Sequence, residues 1–315
     1  MASTALYPSS SPETPRTPRP RALVLLQTPQ SKVRPTPRDV GRPEPAQNLD
    51  YACSTGDERT ARWVLQQGTT DQQARDEALL LACSNGHVGC VAALLGSGAN
   101  PNATMLEGGS ALALAAQAGS EGCLQQLLQG GALVDGAGKS CATALFVAAF
   151  NGRAGCLDLL LRTRAAVDAP YLDGSSALHA AAQAGHTECV RLLVGCGACL
   201  ELEDEEGYTP LCLAAESGQL AAVRVLLDAG ASPKHAAAGL SPLALSNAQG
   251  HSEVAECLLN ARAAAPPLAA SPLPRGVRSV DQWRRTTIGG GDPAAGHTSG
   301  RTSLEPSEGR HFYTS

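Results

Sequence analysis

Aromatic residues are scarce in this 315-residue chain, at 3%, and methionine occurs only twice. Large rings usually dominate the interior of a compact domain. With 43% hydrophobic residues but so few large ones, this interior must be built from small side chains in thin layers. Long apolar runs are also missing. None approaches the roughly 18 residues of a membrane span, and no charged start followed by an apolar stretch opens the chain as a secretory signal would. Positive charge is short where it would matter for nucleic acid: residues 48–263 carry 11 Lys or Arg against 22 Asp or Glu. Such a surface repels phosphate backbones, so direct nucleic-acid binding is not expected. Cysteine is plentiful. All eleven cysteines lie between Cys53 and Cys257, and without a secretory signal they read as reduced thiols used as small core residues in the cytoplasm or nucleus.

What recurs is glycine. Gly86, Gly119, Gly152, Gly185 and Gly218 stand 33 residues apart, with Gly56 and Gly250 near the same interval. Leucine-led runs such as Leu112-Ala113-Leu114 precede each glycine, and a leucine pair such as Leu127-Leu128 follows it. A small-residue step closes the unit at Gly98-Ala99, Gly131-Ala132, Gly197-Ala198 and Gly230-Ala231. Two short apolar helices split at a glycine and repeated at this period predict an all-α solenoid of about seven units, with hairpin-like loops between them. Ser110, Thr143, Ser176, Thr209 and Ser241 are positioned to cap the first helix of their units, with Pro210 and Pro242 at the first helical position. Glu77 breaks that pattern. The expected organisation is a tail over 1–47, the array over 48–263 with a degenerate first unit, and a second tail over 264–315.

The first tail holds ten prolines and seven Lys or Arg against three acids, a composition that favours disorder. Its one apolar island, Ala22-Leu23-Val24-Leu25-Leu26, is either without a role, a docking motif, or a strip lying on the first repeat. Ser11, Thr14, Thr17, Thr28 and Thr36 each precede proline and are phosphorylation candidates. Each phosphate would add about −1.5 to −2 charges and release a basic tail resting on acidic repeats. The second tail reads as disordered too.

Gly207-Tyr208-Thr209-Pro210-Leu211 through Ala214-Ala215-Glu216-Ser217-Gly218, and Ser176-Ala177-Leu178-His179 through Gly185-His186, resemble the Thr-Pro-Leu-His and Leu-Ala-Ala-x-x-Gly-His signatures of ankyrin repeats. The Gly-His-x-x-Cys pattern at Gly86 to Cys90 and Gly185 to Cys189 is similar to repeats of the ankyrin-and-SOCS-box proteins, substrate receptors of cullin ubiquitin ligases. That family ends in a box with a Leu-x-x-x-Cys element, and this chain has no cysteine after Cys257.

Candidate chemistry is absorbed by the repeat. Cys90, Cys123, Cys156 and Cys189 share one position of the second helix; stacked helices stand about 8–10 Å apart, too far for disulfides, which need Cα atoms about 4.4–6.8 Å apart. Cys196 and Cys199 have half the spacing of a zinc site but no second pair. Gly136 to Ser140 resembles the end of a phosphate loop, with Leu133 where its first glycine belongs. His87, His186 and His251 follow the key glycines, and the resemblance gives His179 a bonding role between repeats. No catalytic residue, metal or cofactor is expected.

What remains is surface. The resemblance implies that partners are held by hairpin tips and the exposed end of the first helix. Met105, Leu106, Phe150, Tyr171, Leu172 and Tyr208 are expected there as solvent-facing anchors, beside Glu205 and Glu206. The acidic run from Glu201 to Glu206 reads as a solvated loop or as a lure for a basic partner. The expectation is a monomeric, non-enzymatic adaptor or scaffold for partner proteins, or alternatively a substrate receptor of a cullin-type ligase.

Overall fold

A computed structural model of the chain describes residues 45–105, 108–136, 142–235 and 239–264. The tail phosphorylation candidates, the Ala22–Leu26 island, Leu106 and most of the Gly136–Ser140 segment lie outside these residues.

Fourteen helices form seven consecutive pairs among the described residues. They are α1 (Pro45–Thr55) with α2 (Glu58–Gln66), α3 (Gln72–Ser84) with α4 (Val88–Gly96), α5 (Ala111–Ala118) with α6 (Glu121–Gln129), and α7 (Ala144–Phe150) with α8 (Ala154–Arg162). The remaining pairs are α9 (Ala177–Ala184) with α10 (Thr187–Gly195), α11 (Pro210–Glu216) with α12 (Leu220–Asp228), and α13 (Pro242–Ala248) with α14 (Ser252–Ala264). First helices stack on first helices and second on second, and the first-helix column is the more closely packed. That difference bends the stack with the first helices on its inner side.

Five of the first helices, α3, α5, α7, α11 and α13, start at a side chain that satisfies an orphan N–H. Ser110, Thr143 and Ser241 accept from Ala113, Phe146 and Ala244 at 3.2 Å each, and Thr209 accepts from Cys212 at 3.4 Å. The irregularity at Glu77 has a structural reason. Helix α3 starts six residues earlier, capped by Asp71, whose carboxylate accepts the Ala74 N–H at 2.7 Å, and it runs thirteen residues instead of seven or eight. The extra turns replace the loop that precedes the first helix in later units, so Glu77 lies inside a helix.

The seven key glycines all adopt left-handed backbone, with φ between 67° and 79°. A second constraint adds to it. In the next unit, the residue after the key glycine reaches back over its predecessor: His87 Nε2 donates to the Ser54 carbonyl at 3.1 Å, His186 to Phe150 at 3.1 Å, and His251 to Glu216 at 3.0 Å. Arg153 Nε does the same to Gln117 at 3.2 Å. The imidazoles occupy the space a side chain on Gly56, Gly152 or Gly218 would need.

Loops between units are tight turns. Met105 N–H bonds Gly109, Tyr171 N–H bonds Ser175, and Asp204 N–H bonds Tyr208 across them. Among the described residues, pairing resembling a strand amounts to one bridge, Thr104 with Ser110. A continuous band of buried residues, mostly Ala, Leu and Cys, runs from Leu49 to Leu258, and Tyr208, Cys212, Leu213 and Leu245 form a smaller cluster of their own. No described helix is long and apolar enough to cross a membrane.

Candidate functional site

On the inner side, the last residues of the first helices form a row of half-buried groups: Gln117 on α5, Phe150 on α7, Gln183 on α9 and Glu216 on α11. Phe150 is the aromatic member of the row, and it packs partly against the core. Met105 is also half-buried against the core, and Leu172 is 44% exposed at the tip of its turn. Glu205 and Glu206 are exposed.

Two anchors expected in solvent are not there. Tyr171 is 5% exposed because its ring stacks on Phe146, centroids 4.6 Å apart and planes inclined by 17°. Tyr208 is 9% exposed, packed with Cys212, Leu213 and Leu245. Both rings close the turns onto the first helices instead of standing at the tips. A loop aromatic in a chain so poor in large side chains is drawn inward, since burial of one ring stabilises by roughly 1.5–3 kcal/mol.

Between the turns 171–175 and 204–208 lies a shallow depression. Phe146, Ala180 and Leu213 form its apolar floor, and Asp173, Gln183 and Asp204 its polar rim. The two turns are joined by the Glu205 N–H, which bonds the Asp173 carbonyl at 2.9 Å. Asp204 Oδ1 accepts the N–H groups of Tyr208 at 2.8 Å and Glu206 at 3.0 Å. Burial nevertheless pushes the Asp204 carboxyl above the usual range, with Asp173 and Glu206 adding repulsion. Such a rim favours the approach of a cation.

His179, under this depression, is fully buried. Its Nδ1 accepts from the Ser176 N–H at 3.1 Å, so Nε2 carries the proton and donates to the Tyr208 carbonyl of the next unit at 3.0 Å. Burial holds the imidazole neutral by lowering its pKa to about 4. It pins two units together.

The acidic run is not uniformly solvated. Glu201 Oε1 accepts the Ser232 N–H at 2.7 Å, which makes it the last of a column one residue wide. Asn102 accepts from Leu133 at 2.8 Å, Asp135 from Ala166 at 2.9 Å, and Asp168 from Cys199 at 3.0 Å. Each residue of this column caps the N–H group 31 positions later. Its 33-residue spacing is visible in the sequence, but the change from amide to acid hides it. Glu203 pairs with His235 at 3.3 Å, leaving the turn's tip to Glu205 and Glu206.

The cysteine column is buried, and all described cysteines are free thiols. Burial pushes Cys156 and Cys189 up to about 11. Cys196 is exposed and Cys199 half-buried. Among the described residues no three His, Cys, Asp or Glu are grouped to hold a metal.

A family model described as ankyrin repeats (3 copies) matches residues 49–137, 79–170 and 145–237. Among solved structures, the human ASB11 ankyrin repeat domain is similar, with 28% identity and a TM-score of 0.62 over 70% of this chain and 99% of that one. No curated protein matches the chain. Capped helix pairs, left-handed glycines under the next unit's side chain, and matched repeats over residues 49–237 agree: this chain belongs to the ankyrin-repeat family, with units similar to those of the ankyrin-and-SOCS-box protein ASB11.

Proposed function

We propose that the chain is a non-enzymatic adaptor that holds a basic segment of a partner protein on its inner face. The observation carrying this is the acid-rimmed, apolar-floored depression between turns 171–175 and 204–208, flanked by Glu205 and Glu206. An Arg or Lys side chain suits that combination, its charge resting at the acidic rim. Phe150 and Leu172, with Met105 and Leu106 further along, supply apolar contacts; Tyr171 and Tyr208 contribute by shaping the turns. The tail candidates Ser11, Thr14, Thr17, Thr28 and Thr36 would regulate access by changing the charge of the competing basic tail.

Proximity labelling in cells tests this with the intact chain, F150A and E205K/E206K. Shared loss of a partner, with both variants still folded by circular dichroism, is the expected result. If neither variant loses a partner, the inner face is not the binding surface.

The alternative, a substrate receptor of a cullin-type ubiquitin ligase, draws support from the 28% identity with the ASB11 ankyrin domain across nearly all of that domain. Co-purification with elongin and cullin components separates it from a plain adaptor.

A further inference from the structure

Second helices show which of their residues face the preceding unit. A side chain on Gly89, Gly122 or Gly155, three positions after the key glycine, would run into Glu58, Val88 or Glu121 of the unit before. Eleven positions after Gly119, one on Gly130 would meet Leu95 of the unit before. The residue seven positions after the glycine lies on the same stripe, one helical turn from each. In units two to seven this residue is Ala93, Gln126, Leu159, Leu192, Val225 or Cys257, and all six are half-buried.

In the first unit it is Trp63, and no described unit precedes it. Its indole is 58% exposed, between exposed Arg59 and Gln67 on the same stripe. Tyr51 on α1 departs from the pattern in the same way. It stands five residues before its glycine, where Leu81 is half-buried and Leu114, Val147, Ala180, Leu213 and Leu245 are 1–4% exposed, yet it is 55% exposed. Turns cover that position in later units, and the five-residue link from α2 to α3 has none. End units of a repeat array normally turn a polar face to water. The first unit leaves two of the chain's ten aromatic residues exposed, and Trp63 is the one on its end face.

We infer that the end face of the first unit, centred on Trp63, is covered by the chain's own apolar segment Ala22–Leu26. The segment is the one uncharged, leucine-rich stretch in the 44 residues before α1. Eighteen residues separate it from Pro45, a reach of about 60 Å when extended. Tethering at that length holds it near the face at an effective concentration of about millimolar. The 1–47 tail carries seven basic residues against three acidic ones, and the array 11 against 22, so long-range attraction favours the approach.

Only Trp63 and Trp283 can report indole fluorescence. In the full-length W283F chain, acrylamide quenching therefore reads the exposure of Trp63 alone. L23S/L25S in that background is expected to raise the quenching constant about two-fold and shift emission to the red. Circular dichroism of the array stays as it was, its unfolding midpoint falls slightly with the lost contact, and L304S in the other tail changes nothing. Equal quenching in both chains overturns the inference. So does protection that survives L23S/L25S and fades on dilution, which would assign the face to a second copy.

Discussion

The Nδ1 atom of His186 stands 2.6 Å from the point where a Cβ on Gly152 would lie. Gly152 is therefore constrained twice, by its φ of 67° and by the imidazole that seals the joint between two units. Gly86 shares the backbone, with φ of 75°, but its nearest obstacle is Ser120 Cβ at 3.4 Å. Gly86→Ala should cost about 1–2 kcal/mol for left-handed alanine alone, and Gly152→Ala at least about 1 kcal/mol more. Urea unfolding of the two variants checks the order.

Arg164 is the one described non-glycine residue with positive φ, at 65°. It occupies the unit-closing position held by Gly98, Gly131, Gly197 and Gly230 elsewhere. Arg164→Gly removes about 1–2 kcal/mol of strain and adds roughly 0.5–1 kcal/mol of unfolded-chain entropy. A small rise in the thermal midpoint is expected.

Asp168 caps the Cys199 N–H from a half-buried position, and desolvation raises its pKa. A raised carboxyl favours the folded state when protonated, a contribution lost as pH rises through the folded pKa. Asp168→Asn keeps the acceptor without the charge, so at pH 7 it should be neutral or stabilising. Asp168→Ala leaves the N–H unpaired and should cost about 1–3 kcal/mol. Chemical denaturation of the pair distinguishes the acceptor from the charge.

His179 carries the opposite sign of pH dependence. Its pKa falls from 6.5 to about 4 on folding, so below 6.5 the unfolded chain binds the proton that the folded one refuses. Stability from this group is complete above pH 6.5 and falls as pH drops towards 4, by roughly 3 kcal/mol. His179→Gln should flatten that slope in denaturant midpoints measured between pH 4 and 7.

If the inner face takes a basic segment, partner affinity should weaken as salt rises, and E205K/E206K should abolish that dependence. Removing residues 1–44, which stops short of α1, should strengthen binding by removing a competing basic tail. A titration at two salt concentrations with each chain reads both effects.

The period, the caps and the glycine turns were legible because they are local: one residue type at one spacing sets each of them. Position in the stack was less visible. Tyr171 and Tyr208 read as tip residues because a loop sequence does not say which way a ring turns; stacking on Phe146 and packing on Leu213 decide it. Glu201 looked solvated among its acidic neighbours, although a fixed offset joins it to Asp168, Asp135 and Asn102. Glu77 looked like a failed cap because the helix start had moved to Asp71.

The buried thiols have one further consequence. Cys53, Cys83, Cys90, Cys123, Cys156, Cys189 and Cys212 place at least one protected sulfur in each of the first six units. A thiolate must form before an alkylating reagent can attack, so each sulfur stays silent until its own unit opens. Unfolding of a linear array can begin at either end or in the middle. The order in which these sulfurs become labelled in the native protein therefore maps where the array opens first, with the exposed Cys196 as an internal zero.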